Sequence, residues 1–285
     1  MKLSNNSNFF SHIPDWDTRF AKMKELGFDA VDFTLLAIEQ PCYESYENME
    51  NYCRQVRAAA EKQDIEIYQI HGPWSYTDDA TPEGRAKVWE AMRKSIFGCH
   101  LLGCRYMVIH PIMPYGTRNP EENPELPTAL TYQLLKDMLP ECEKYGVVLC
   151  LENMPFGQHR LASTQSVVEM VKKIDSPYVQ ICFDTGHSHK IREDIAESVR
   201  LAAPYLKTLH VHDNWFNDEH NFPFLGATDW DDFAKALVES GYDGTLNLEV
   251  WSISKDMSPG LREAYIKLAV ESAKQLNQLI ESYKK

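Results

Sequence analysis

At 285 residues, 44% apolar and 25% charged, the chain has the length and core content of one large α/β domain, without the bias of a disordered or fibrous protein. Its 42 acidic and 29 basic side chains give a formal net charge of −13. No Lys/Arg-rich run appears beyond the two C-terminal lysines, so the field works against a nucleic-acid partner. No apolar stretch suits a bilayer span, and the N-terminus lacks the basic-then-apolar order of a signal peptide, so a cytoplasmic protein without a membrane partner is expected.

In chain order, a weak first strand is expected near Lys2–Ser4 or Asn8–Phe10. An amphipathic helix over Asp17–Leu26 stops at Gly27, before a strand at Ala30–Phe33. The run Tyr68–His71 reads as the third strand. Thr81-Pro82 then supplies the cap and first-turn proline of a helix whose buried stripe is Val88, Met92, Cys99 and Leu102, ending at Gly103. Strands are expected at Met107–His110 and, after a helix over Leu130–Tyr145 and Gly146, at Val147–Glu152. Val179–Asp184 and Leu209–His212 follow. A helix over Phe233–Ser240, closed by Gly241, precedes the last strand at Leu246–Glu249. Leu261, Tyr265, Leu268, Leu276 and Leu279 recur with a period near 3.6 and mark a closing helix.

The strands are apolar runs without strict alternation, as expected where both faces are covered. Eight strand–helix units predict a single-domain (β/α)8 TIM barrel over residues 1–285. An open doubly wound sheet would want a glycine-rich phosphate loop after its first strand, and none is present. The seven cysteines (42, 53, 99, 104, 142, 150 and 182) form no CxxC pair and read as reduced, buried thiols.

Parallel strands bring their C-terminal ends to one rim, and here those ends carry His71, His110, Glu152, Asp184, His210 and Glu249. A single rim glutamate pairs as readily with a lysine or a backbone amide as with a metal. Four such residues on strands five to eight, Glu152, Asp184, His210 and Glu249, point to a divalent metal site suited to Mn²⁺, Mg²⁺ or Co²⁺ and able to hold Zn²⁺. His71, His110 and His187 add nitrogen donors toward substrate, and His212 is expected behind the ligands. Asp218-Glu219-His220 reads as a solvated loop on its own. Trp74, Trp215 and Trp251 follow strand ends and are candidate sugar-stacking walls, while Asn153, His159 and Arg160 are candidates for substrate oxygens or an anion.

Leu151-Glu152-Asn153, Phe183-Asp184-Thr185-Gly186-His187, Leu209-His210-Val211-His212-Asp213-Asn214, Leu225-Gly226 before Asp229-Trp230, and Leu248-Glu249 together resemble the xylose isomerase-like TIM-barrel superfamily. That superfamily includes sugar epimerases, inosose dehydratases, hydroxypyruvate isomerase and endonuclease IV. The resemblance covers nearly the whole chain and is specific as a set. It implies one divalent metal at Glu152, Asp184, His210 and Glu249, proton transfer by Glu152 and Glu249, and a substrate oxygen at His187. In endonuclease IV, positions matching His71, His110, Glu152, Asp184, His187, His210, Asp218, His220 and Glu249 hold three zinc ions, so His71, His110, His187, Asp218 and His220 are candidate additional ligands here. The chain departs from that enzyme in lacking basic DNA-facing loops. It departs from the ketose epimerases at Asn214-Trp215-Phe216-Asn217, where they carry an arginine.

The expected function is a metal-dependent isomerase or epimerase of a small sugar, keto-sugar or polyol, passing a proton between Glu152 and Glu249 through an enediolate. A dehydratase or lyase would use the same intermediate. The alternatives are a multi-zinc phosphodiesterase of the endonuclease IV type and a non-catalytic sugar- or metal-binding barrel. A homo-oligomer is compatible with all of them.

Overall fold

The computed structural model describes residues 1–74, 81–113 and 123–284. Eight parallel strands form one sheet: β1 (Leu3–Asn6), β2 (Ala30–Thr34), β3 (Glu66–His71), β4 (Tyr106–Ile109), β5 (Val148–Glu152), β6 (Val179–Asp184), β7 (Leu206–His210) and β8 (Leu246–Leu248). Each strand pairs with its sequence neighbour, and β1 also pairs with β8. Val211 closes the ring: its N–H donates to the Asn247 carbonyl and its carbonyl accepts from Glu249, at 2.9 and 3.0 Å. The sheet is thus a barrel, as the repeat of strand and helix predicts.

Around it run α1 (Trp16–Glu25), α2 (Tyr46–Lys62), α3 (Pro82–Leu101), α4 (Leu126–Tyr145), α5 (Thr164–Ile174), α6 (Thr185–Lys190), α7 (Ile195–Ala202), α8 (Trp230–Glu239) and α9 (Pro259–Tyr283). Side-chain caps fix every start but that of α4. Asp15, Ser45, Thr81, Ser163, Asp194, Asp229 and Ser258 each accept from a backbone N–H of the first turn, offsetting donors a helix start otherwise leaves unpaired. Gly146 ends α4 in the left-handed region at φ 69°, where an L side chain is strained.

The first strand lies at Leu3–Asn6, and Asn8–Phe10 is not a strand. The Asn6 carboxamide accepts from the Phe9 N–H at 2.9 Å and turns the chain into a 3-10 helix, Ser7–Phe10, whose two phenylalanines are fully buried. The seventh strand starts earlier than expected and stops at His210, because beyond it only the Val211 bridge to β8 continues the pairing.

Alternation along each strand divides the core in two. Met107, Ile109, Leu149, Leu151, Ile181, Phe183, Leu209, Leu246 and Leu248 pack outward under the helices. Val108, Val148, Cys150 and Cys182 form a separate cluster inside the barrel. Counting two residues along from these interior positions reaches His110, Glu152 and Asp184. One pleat therefore aims all the rim residues at the barrel mouth.

Candidate metal centre

Glu152, fully buried at the end of β5, is where the site converges. Its Oε1 lies 2.9 Å from His210 Nδ1 and 3.4 Å from His187 Nδ1, and its Oε2 lies 3.1 Å from His110 Nε2. His71 Nε2 stands 3.1 Å from His110 Nε2 and 3.8 Å from Glu152 Oε2. Glu249, just past β8, brings Oε2 to 3.5 Å from His210 Nδ1. Asp184 ends β6 and also caps α6, its Oδ1 accepting from the His187 N–H at 2.6 Å. That cap starts the helical turn which carries His187 back over the rim.

Three groups of ligand-type atoms result, each drawn together within 4.8 Å: Glu152, Asp184, His210 and Glu249; His71, Glu152 and His210; and His187, His212, Asp218 and His220. The residues fit a divalent cation. Asp184 Oδ2 is buried without a hydrogen-bond donor among the described residues, although buried carboxylate oxygens are rarely left so. Three carboxylates and an imidazole form a mostly oxygen donor set that suits Mg²⁺, Mn²⁺ or Co²⁺ and accepts Zn²⁺.

The electrostatics follow from this crowding. Burial opposes the charge on Glu152, but His210 and His110 outweigh it and hold the carboxyl well below its ordinary range. Burial, only partly offset by His210, pushes Glu249 up to about 7. Burial and the neighbouring His110 bring His71 down to about 4. His220 moves the other way, to about 9, because Asp218 and Glu249 outweigh its burial.

The third group depends on close backbone approach. The His212 ring lies over Gly186, where an added Cβ would stand 2.0 Å from its Cε1, and stacks on His220 at 3.9 Å between centroids. Asp218 Oδ1 is 3.5 Å from His187 Nε2 and 3.4 Å from His220 Nε2. Asp213 folds the loop that carries both, accepting from Asn214 N, Gly226 N, Thr228 N and Trp230 Nε1. Gly226 meets Asp213 and Asn214 so closely that a Cβ would fall 2.2 Å from Asp213 Oδ1. The Asp218-Glu219-His220 loop is thereby ordered against the site.

Of the residues expected at the rim, His71, His110, Glu152, Asp184, His187, His210 and Glu249 come together with Asp218 and His220. Trp74 meets His110 edge-on at 4.2 Å, and Trp251, more than half exposed, covers His220 at 4.7 Å. Arg160 does not join them: its guanidinium pairs with Glu125 at the surface, 2.7 Å away. Asn153 is occupied as well, since both its amide atoms bind the backbone of Asp184 and brace that strand end. His212 lies 3.0 Å from Asp184 Oδ1, behind that member of the first group, and itself belongs to the third.

Sequence reasoning missed Asp32. It is a fully buried carboxylate on β2 whose Oδ2 lies 3.0 Å from His210 Nε2. Its signal was a carboxylate set between apolar residues in Val31-Asp32-Phe33, within a strand, whereas Asp184 ends its apolar run. With Asn6, Asn8, Thr34, His71, His220, Glu249 and Trp251 it lines a cavity of about 130 Å³ at the barrel mouth. Larger clefts, of about 460 and 590 Å³, lie outside the barrel along α2 and between α1 and α9 and coincide with none of the three ligand groups.

A model of the family described as "Xylose isomerase-like TIM barrel" matches residues 20–278. The D-psicose 3-epimerase of Ruminiclostridium cellulolyticum is 23% identical over 281 residues, covering 91% of this chain and 90% of that one. A solved "D-tagatose 3-epimerase-like protein" superposes with a TM-score of 0.77 at 25% identity, covering 100% of this chain and 98% of that one. The IOLI protein "with a binding zinc atom" does so with a TM-score of 0.73 at 19% identity, covering 99% of each chain. Among the described residues, no helix is long and apolar enough to cross a membrane.

Proposed function

The chain belongs to the xylose isomerase-like TIM barrel family, and on that premise we propose that it is a divalent-metal-dependent isomerase or epimerase of a small sugar, keto-sugar or polyol. The observation that carries this reading is the convergence of Glu152, Asp184, His210 and Glu249 from the ends of four successive strands. A cation held there would chelate two adjacent substrate oxygens and polarise a carbonyl, which acidifies the neighbouring C–H.

The chain's own groups do the rest. Glu152 and Glu249 approach the same His210 nitrogen and serve as the proton-moving pair, one taking the proton from the carbon beside the carbonyl and the other returning it to the enediolate. His187 and His71 hold substrate hydroxyls, and Trp74 and Trp251 shield the mouth from water. The proteins similar to this chain whose names state an activity include sugar epimerases and isomerases, which supports the same class.

The test is proton exchange at carbon. With Mn²⁺, Mg²⁺, Co²⁺ or Zn²⁺ supplied in D₂O, a ketose bound by the protein is expected to gain solvent deuterium beside its carbonyl, read by NMR. Ketose binding without exchange under any of these metals would overturn the reading.

One observation favours a second reading. The group at His187, His212, Asp218 and His220, with His71 and His110 set against Glu152, offers ligands for further zinc ions of a phosphodiesterase. The −13 net charge weighs against DNA as its substrate. Elemental analysis expects one tightly held metal per chain, together with no cleavage of an abasic DNA duplex. Three metals and zinc-dependent incision weakened by salt would select the second reading.

A further inference from the structure

Inside the barrel, directly below the rim, lies a polar layer that the proton-transfer reading does not use. Asp32 Oδ2 accepts from Gln69 Nε2 at 3.0 Å and from Asn247 Nδ2 at 3.3 Å, and it faces His210 Nε2 at 3.0 Å. Ser4 Oγ in turn binds Asn247 Oδ1 at 2.8 Å. All five residues are fully buried. We infer that Asp32 is the positioning residue of the metal site. It holds His210 with its proton on Nε2 and so presents Nδ1 as the ligand atom. This inference rests on His210 being a metal ligand.

The hydrogen-bond directions can be worked out from the layer itself. Gln69 Nε2 also faces the backbone carbonyl of Leu209, at 3.4 Å. A carbonyl can only accept, so the NH₂ end of Gln69 must be the end turned toward it, and the same NH₂ then donates to Asp32. Asp32 Oδ2 is therefore an acceptor already taking amide protons, and His210 can meet it only with an N–H on Nε2. Nδ1 is then the atom whose proton a metal displaces, and its lone pair would point among the other ligand atoms, since it lies 2.9 Å from Glu152 Oε1 and 3.5 Å from Glu249 Oε2. A carboxylate behind a ligating imidazole fixes the ring and makes it a stronger donor, an effect typically worth about 10–100-fold in metal affinity. Asp32 acts at a distance from the reacting carbon, so its loss should weaken metal binding more than it changes the chemistry of the loaded enzyme.

Cadmium-113 added to ¹⁵N-histidine-labelled protein provides the direct readout, because metal–nitrogen coupling identifies the bound ring atom. Coupling at His210 Nδ1 is expected, and coupling at Nε2 would overturn the assignment. Two variants separate the charge of Asp32 from its role as an acceptor. Asp32→Asn keeps an acceptor oxygen opposite Nε2 but loses the charge, so metal affinity by calorimetry should fall about 10–100-fold with Nδ1 still the ligand. Asp32→Ala removes the acceptor and should also lose the slowly exchanging, downfield Nε2–H proton of the metal-free protein. Unchanged affinity in both variants would end the proposal. Should the chain bind no metal at all, the metal reading fails. The metal-free Nε2–H resonance then still reports whether Asp32 orients the ring: its presence in wild type and loss in Asp32→Ala support that part, and its absence from wild type overturns it.

Discussion

Glu152 is surrounded by four imidazoles, from His71, His110, His187 and His210, and no lysine or arginine makes an ion pair with it among the described residues. A surface carboxylate would rarely be placed this way, since burying it costs several kcal/mol unless a cation or strong donors offset the lost hydration. Glu152→Gln keeps the volume and removes both the charge and the proton acceptor. Turnover on an identified sugar is expected to fall about 10²–10⁴-fold, and Glu249→Gln should behave alike, because general acid–base help is of that size. Near-wild-type turnover in either variant would break the paired-glutamate mechanism. At this scale the sequence was informative wherever a polar residue ends an apolar run, as at Glu152, Asp184 and His210. It did not show the partners of Arg160 and Asn153, Glu125 and the Asp184 backbone, which are set by loop geometry that composition does not encode. Asp32 was legible in principle, but it sits in mid-strand where a search of strand ends does not look.

The turn from β6 into α6 shows how an element builds part of a site. Asp184 both ends the strand and caps the helix, so the backbone reverses within one residue and His187 returns above Glu152. Gly186 sits in that first turn because the His212 ring occupies the space a Cβ would need. Gly186→Ala should therefore force the ring away from Asp184 and His220. Overpacking of this kind typically costs about 1–3 kcal/mol. A urea midpoint equal to wild type, with His212 resonances unmoved, would show the contact to be slack. The motif Phe183-Asp184-Thr185-Gly186-His187 was visible in the sequence. The role of its glycine was not, because the atom it avoids belongs to a residue 26 positions later. The capped starts of α2, α5 and α7 were likewise written in Ser45, Ser163 and Asp194, but no glycine closes these three helices, whereas Gly27, Gly103, Gly146 and Gly241 mark the ends of the helices that were legible.

For the whole molecule, the barrel was readable because its evidence is repeated eight times, whereas the number of metals depends on where one loop, Asp218 to His220, folds back. The same crowding of acids and imidazoles sets how the metal-free protein should respond to pH. Glu249 is pushed up to about 7 from an ordinary 4.5, and His220 up to about 9 from 6.5. Both bind a proton more tightly folded than unfolded, so each stabilises the fold fully below its unfolded value and loses that contribution as pH rises through its folded one. His71, brought down to about 4, works in the opposite sense. Its contribution is complete above 6.5 and is lost only as pH falls toward about 4, so it adds little slope on the alkaline side. Between 6.5 and 9 the metal-free chain should therefore melt at progressively lower temperature. A bound divalent cation reverses the balance, since its ligands must shed protons and its affinity rises with pH. Melting curves with and without Mn²⁺ or Zn²⁺ should thus diverge across that window. His220→Asn should flatten the metal-free limb up to about 9, and Glu249→Gln only its start, up to about 7. A metal-free melting temperature that held steady or rose from 6.5 to 9 would mean that these groups are not crowded as the structure places them.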